Sequence, residues 1–238
     1  MEVLSSGKTS FKVEVPYKLF HTGRAVAKPL IVYLHGAGQN MAGFEEKMAT
    51  FQSLEAYHLF IQGPYAHVNK PEKRGKWGYS WYLYNGKQGS FVKSLEYTSE
   101  FIQGLIDSLR EHLDINRLCI IGYSMGGYQA GYFAFSRWKH VNDVINLAGR
   151  YKTESFSASQ LERCAHMNII AVHGQNDAIV DIAGQEEAVA HLQKCGLSAQ
   201  LFPVAGGHRI GSKMTAKAVE LLSQIGYEQA TGASQAAD

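Results

Sequence analysis

Short apolar, β-rich runs recur along the chain, separated by longer stretches of helical period, and no other feature limits the fold as strongly. The runs are LIVYLHG (30 to 36), HLFIQGP (58 to 64), RLCIIGYS (117 to 124), VNDVINLAG (141 to 149), NIIAVHG (168 to 174) and AQLFPVAGG (199 to 207). Strands that alternate with helices build a mostly parallel sheet covered by helices, so the expected class is α/β. Four of the runs end in glycine, which permits a tight turn into the next helix, and ligands of open α/β sheets bind outside those strand ends. FKVEVPYKLF (11 to 20) alternates and precedes the turn-like HTGR, which predicts an antiparallel edge strand near the start.

Helical period is clearest over 94 to 113, where Leu95, Ile102, Leu105, Ile106, Leu109 and Leu113 share a face and Asp107 and Glu111 are expected in solvent. Further helices are expected over 41 to 55, 125 to 138, 183 to 195 and 212 to 225, the last stopped by Gly226. The stretch 65 to 91 has neither period. It sets Tyr65, Trp77, Tyr79, Trp81, Tyr82, Tyr84 and Phe91 among Gly and Lys, and reads either as a pocket wall or lid or as a packed surface excursion. Within it, Trp77, Tyr79, Trp81 and Tyr82 are the candidate substrate-pocket residues.

A chain of 238 residues with 45% hydrophobic and 18% charged residues suits one domain, expected over 1 to 226, that buries its core without metal or disulfide staples. The last twelve residues, YEQATGASQAAD (227 to 238), are small and polar and are expected to be disordered. Lys and Arg total 23 against 21 Asp and Glu, too even a balance for a nucleic-acid footprint. The densest basic run, Lys70 to Lys76 with Lys73, Arg74 and the tempering Glu72, reads as a solvated loop face. Cys119, Cys164 and Cys195 are odd in number and lack C-x-x-C spacing, which argues against a disulfide framework. The first residues lack a signal peptide's apolar core and no run is long enough to span a membrane, so a cytoplasmic protein is expected.

The strongest chemical signal is Gly122-Tyr123-Ser124-Met125-Gly126, a G-x-S-x-G between an expected strand and an expected helix. Such an elbow turns so sharply that the serine hydroxyl projects, and side chains at Gly122 and Gly126 would strike neighbouring backbone. Gly127 adds room for helix packing. The alternative is a plain strand-to-helix turn. A serine hydroxyl is a weak nucleophile and needs a base to take its proton and a carboxylate to orient that base. Asp177 in HGQNDAIV follows one strand run and His208 in VAGGHRIG follows the last, in the order nucleophile, acid, base. The competing acids are Asp181, which reads as a helix N-cap, and Asp143, which reads as a cap or turn residue.

Acyl transfer also needs donors for an oxyanion. Met125 N–H is one candidate, and Ala37 N–H in the loop His35-Gly36-Ala37-Gly38-Gln39-Asn40 is the other. That loop lacks the spacing of a phosphate-binding fingerprint. A metal site from His35, His173 and His208 is the weaker reading, since no H-E-x-x-H or H-x-H spacing supports it and each His-Gly pair suits an imidazole bonded to its local turn. No metal and no cofactor are expected.

Together LHGAGQN, GYSMGG, HGQNDAIV and GGHRI resemble the α/β-hydrolase superfamily, and within it the phospholipase/carboxylesterase family that includes acyl-protein thioesterases. The resemblance runs from about residue 30 to 210 and leaves no room for a large cap between 149 and 167. It implies an α/β-hydrolase fold, a triad of Ser124, Asp177 and His208, and oxyanion donors at Ala37 and Met125. The chain departs from the family pattern at Met125, where Gln is common, and at Ala178, where Pro is common. Dienelactone hydrolases and prolyl-oligopeptidase-like hydrolases share similar motifs. The expected function is a serine hydrolase of small carboxylic esters or thioesters; the alternative from another class is a non-catalytic ligand-binding protein on the same fold. The sequence sets no oligomeric state; a homodimer is one reading.

Overall fold

The computed structural model describes residues 3–7, 9, 12–68 and 77–230. Its first strands are β1 (Tyr17–His21), β2 (Lys28–Leu34) and β3 (Tyr57–Ile61), followed by the short pair β4 (Tyr65–Val68) and β5 (Trp77–Ser80). β6 (Ile115–Tyr123), β7 (Asp143–Leu147), β8 (Asn168–Gly174) and β9 (Ala199–Val204) complete the strands. Seven of them form one sheet in the order β1-β3-β2-β6-β7-β8-β9. Only β1 runs antiparallel, along β3 at the sheet edge. The edge strand expected over 11 to 20 thus narrows to Tyr17–His21.

Alternation along the strands divides the core into two layers. Leu30, Val32 and Leu34 of β2 and Leu118 and Ile120 of β6 face one side, where they meet α2 (Gln88–Arg110), α3 (Met125–Ser136) and α5 (Ile182–Lys194) through Ile102, Ile106, Phe133, Ala188 and Leu192. Ile31, Tyr33, Cys119 and Ile121 face the other, against α1 (Met41–Lys47) and α6 (Ser212–Gln224) through Phe44, Met214, Ala218 and Leu222. A short α4 (Ala158–Glu162), capped reciprocally by Ser157 and Gln160, was not anticipated by any periodicity.

Four sequence expectations need correction. The helix expected over 41 to 55 breaks at Met48 into α1 and a 3-10 turn, Ala49–Ser53. The aperiodic stretch 65 to 91 contains the antiparallel hairpin β4–β5 and the first turn of α2, while the basic run Lys70 to Lys76 lies outside the described residues. Asp143 is neither cap nor turn: it lies within β7 with its side chain fully buried. Its carboxylate accepts from Arg117 Nε and Nη2 at 2.6 and 2.7 Å, from Asn168 Nδ2 at 2.7 Å and from Tyr227 Oη at 2.7 Å. That last bond carries the fourth correction, because Tyr227 belongs to the segment expected to be disordered yet is buried. Glu55 N donates to Glu228 O at 2.8 Å and Ala230 N to Ser53 O at 2.7 Å, so the chain is packed through residue 230. Residues 231 to 238 lie outside the described set.

Candidate active site

β6, β7 and β8 end side by side, and the candidate residues sit on the turns that leave the sheet there. Ser124 joins β6 to α3 with φ 52° and ψ −115°, a conformation that L-residues rarely adopt. The turn is possible because Gly122 and Gly126 have no side chains: a Cβ on Gly122 would overlap Gly126 backbone, and one on Gly126 would overlap the carbonyls of Leu34 and His35. A Cβ on Gly127 would overlap the Asn146 side-chain oxygen, consistent with close helix-to-sheet packing. Ser124 N donates to Leu147 O at 2.8 Å, which ties the elbow to the end of β7.

His208 reaches this turn from the loop between β9 and α6. Its Nε2 is 2.9 Å from Ser124 Oγ and its Nδ1 is 2.8 Å from Asp177 Oδ2. Asp177 lies just past β8, and its other oxygen accepts from Ile179 N and Val180 N, both at 2.9 Å. Burial pushes this carboxyl up, but the Val180 N–H, the His208 imidazole and the Ile179 N–H outweigh it and hold Asp177 below the usual carboxylate range. An ionised acceptor at Oδ2 assigns the proton of a neutral His208 to Nδ1, leaving Nε2 free to accept from Ser124 Oγ–H. The three residues named from the sequence are therefore in one hydrogen-bonded line. Asp181, the competing acid, caps α5 by accepting from Ala183 N at 3.0 Å, as its position predicted.

The loop after β2 borders the elbow. Ala37 is exposed there, and among the described residues no hydrogen bond occupies its N–H. Met125 is the first residue of α3, where backbone N–H groups have no partner within the helix. His35 is fully buried: its Nδ1 bonds Gly36 O at 2.8 Å, and Gly63 N donates to its Nε2 at 3.0 Å. Burial lowers its pKa to about 4, with the Gly36 bond opposing, so the ring is neutral. His173 Nε2 bonds Val180 O at 2.8 Å and lies 3.2 Å from Asp177 Oδ2. Both rings thus serve the turns beside them.

The four aromatic candidates separate. Trp81 is buried in the core among Leu30, Val32 and Ile102, donating through Nε1 to His35 O at 2.7 Å, and this packing takes it out of an open pocket wall. Tyr82 is half-buried, edge-on to Phe91. Trp77 is 58% exposed on the hairpin. Tyr79 contributes its backbone, accepting from Gly38 N at 3.0 Å and donating to Gln39 O at 2.9 Å. This clamp on the Ala37 loop had no signal in the sequence beyond Gly78, whose missing Cβ lets Gly38 backbone approach.

The model of the Phospholipase/Carboxylesterase family matches residues 15–225. The chain belongs to that family. Among its relatives is the lysophospholipase-like protein 1 of Mus musculus, 28% identical over 187 residues that cover 74% of this chain and 77% of that protein. Solved structures share the α/β-hydrolase fold at lower identity. Esterase PE8 matches with a TM-score of 0.73 at 20% identity, over 90% of this chain and all of the other. The acyl-protein thioesterase 2 of Zea mays matches with 0.71 at 18% identity, over 88% and 98%. The Bacillus cereus carboxylesterase gives 0.70 at 18%, over 88% and 94%. Ligands of open α/β sheets bind outside the carboxyl ends of the strands, and the hydrogen-bonded line Asp177, His208, Ser124 lies there.

Proposed function

We propose that this protein is a serine hydrolase that cleaves small carboxylic esters, thioesters included, through an acyl-enzyme. The observation that carries the reading is the pair of bonds from His208, 2.9 Å to Ser124 Oγ and 2.8 Å to Asp177 Oδ2, around a serine held at φ 52°. Ser124 Oγ attacks the carbonyl carbon while its proton passes to His208 Nε2. The carbonyl π electrons move to oxygen, and the N–H groups of Ala37 and Met125 face the resulting oxyanion, each worth about 3 kcal/mol in sites of this kind. Collapse breaks the bond to the alcohol or thiol, which leaves with the proton from His208 Nε2. Water then attacks the acyl-enzyme, gives its proton to His208, and the acid departs as Ser124 recovers its proton. Asp177 stays ionised throughout, holding the imidazole tautomer and stabilising the imidazolium.

Membership of the phospholipase/carboxylesterase family supports ester substrates, and the thioesterase among the structural neighbours supports including thioesters. The test is labelling with a fluorophosphonate probe, wild type against Ser124→Ala, followed by aryl esters and thioesters from acetyl to palmitoyl. Labelling and turnover are expected in the wild type and absent in the variant. Turnover by Ser124→Ala at the wild-type rate would remove the serine from the mechanism, and a saturable ligand bound without product would favour a binding protein instead.

A further inference from the structure

The residue between Gly122 and Ser124 touches both the loop that carries Ala37 and His208. Tyr123 ends β6 with its side chain buried. Its ring lies against the start of the Ala37 loop, so closely that a Cβ on Gly36 would sit 2.8 Å from the ring edge. The same ring lies 5.4 Å from the His208 imidazole, tilted by 32°. Its hydroxyl donates to the backbone carbonyl of His208 at 3.0 Å, and among the described residues that carbonyl has no other hydrogen-bond donor.

His208 needs such a support. It lies between the end of β9 at Val204 and the start of α6 at Ser212, on a stretch without regular structure that includes Gly206 at φ 146° and Gly207. Backbone bonds secure the stem of that loop, Gln175 N to Val204 O and Asn176 N to Gly206 O, both at 2.9 Å. Among the described residues, the polar anchor of the histidine itself to the rest of the fold, apart from its two imidazole bonds, is the Tyr123 hydroxyl.

We propose that Tyr123 is a positioning residue for the hydrolytic reaction: its hydroxyl sets the height of His208 above Ser124 while its ring braces the loop that carries Ala37. The inference rests on the serine-hydrolase reading above. Burial, followed by the charge of Asp177, raises the phenol above its ordinary pKa, so it remains a donor across the working range. Proton transfer between Ser124 and His208 depends steeply on their separation, and a displacement of about 1 Å can cost about a hundredfold.

The experiment compares Tyr123→Phe, which keeps the ring and loses the donor, with Tyr123→Leu, which loses both, using Ser124→Ala as the inactive reference. Steady-state kinetics on an aryl ester, normalised by burst titration of active sites, are measured alongside the fluorophosphonate labelling rate and thermal unfolding. Tyr123→Phe is expected to lower kcat and the labelling rate together by roughly five- to fiftyfold, with KM unchanged and Tm within about 2 °C of wild type. Tyr123→Leu should lose more of both rates. Wild-type rates in Tyr123→Phe overturn the proposal, as does a loss accounted for by the fraction of titratable sites or by a lowered Tm, which would make Tyr123 a folding residue alone. If Ser124→Ala is inert while Tyr123→Phe is fully active, only the positioning role fails; if Ser124→Ala is fully active, the serine reading fails and takes this one with it.

Discussion

The bonds around Asp177 make a sharper statement than the identity of the residue does. Its Oδ1 accepts two backbone N–H groups, from Ile179 and Val180, so that position must be an oxygen. In Asp177→Asn the amide oxygen would be forced to that side and the NH₂ would face His208 Nδ1. The imidazole could meet that donor only with Nδ1 bare and the proton on Nε2, the tautomer that cannot accept from Ser124. Turnover in Asp177→Asn is therefore expected to fall by up to about 10⁴-fold with little change in KM. Asp181→Asn should keep wild-type kinetics, because asparagine caps a helix as well as aspartate does. Steady-state kinetics of the two variants decide it, and the reverse ranking would assign the acid to Asp181. The hydrogen-bonded line of Ser124, Asp177 and His208 was legible in the sequence, since each is marked by local chemistry: glycines where backbone must approach, and a polar residue past an apolar strand. Tyr123 and Asp143 were not legible, because what defines them is a partner 85 or 26 residues away in the chain.

At the scale of elements, the least legible piece is the hairpin β4–β5. Four-residue strands set among glycine and lysine give no measurable period, and nothing local says that β5 will pair with a loop instead of the main sheet. Its backbone at Tyr79 brackets Gly38 and Gln39, the side chain of Trp81 bonds the His35 carbonyl, and Ser80 backbone would lie 2.7 Å from a Cβ on Gly63. The loop presenting Ala37 is thus pinned from one side by the hairpin and from below by His35. Gly78 is the close approach in this arrangement: a Cβ there would lie 2.6 Å from Gly38 Cα and nearer still to its carbonyl oxygen. Gly78→Ala is expected to push the loop away and, with Ala37 N–H as the proposed oxyanion donor, to lower kcat roughly tenfold to a hundredfold. A boronic acid that binds as a tetrahedral adduct should lose affinity in parallel. Unchanged kcat and unchanged boronate affinity would mean that the loop keeps its shape without the hairpin. The long apolar runs, by contrast, were readable because a strand inside a parallel sheet needs nothing but its own apolar side chains to be recognised.

For the whole molecule, the two apolar layers set stability at neutral pH, and the ionisable groups sealed within them set how it fails in acid. His58 is fully buried on β3, stacked on Phe20 and Tyr33. The Thr22 hydroxyl donates to Leu54 O and so can only accept from His58 Nε2–H at 2.9 Å, while Tyr33 Oη donates to Nδ1 at 2.8 Å. Both ring nitrogens are thus committed to the neutral form. Burial lowers the pKa of His58 to about 4, opposed by the nearby Leu54 carbonyl and helped by the charge of Lys28, and burial brings His35 to about 4 as well. Unfolding releases both rings to the ordinary value near 6.5, so between about pH 6.5 and 4 the unfolded chain binds more protons and stability falls as pH falls. Each ring should cost roughly 2 kcal/mol between pH 7 and pH 5. Asp177, Glu96 and Glu154, all held below the usual carboxylate range, lose their contributions only at lower pH. Urea unfolding at the two pH values is expected to show a lower midpoint at pH 5. His58→Phe keeps the ring stack and should be less stable at pH 7 but lose its roughly 2 kcal/mol share of the pH dependence. An unchanged pH dependence in that variant would mean that His58 is protonated within the fold and that its bonds to Thr22 and Tyr33 do not hold the neutral ring.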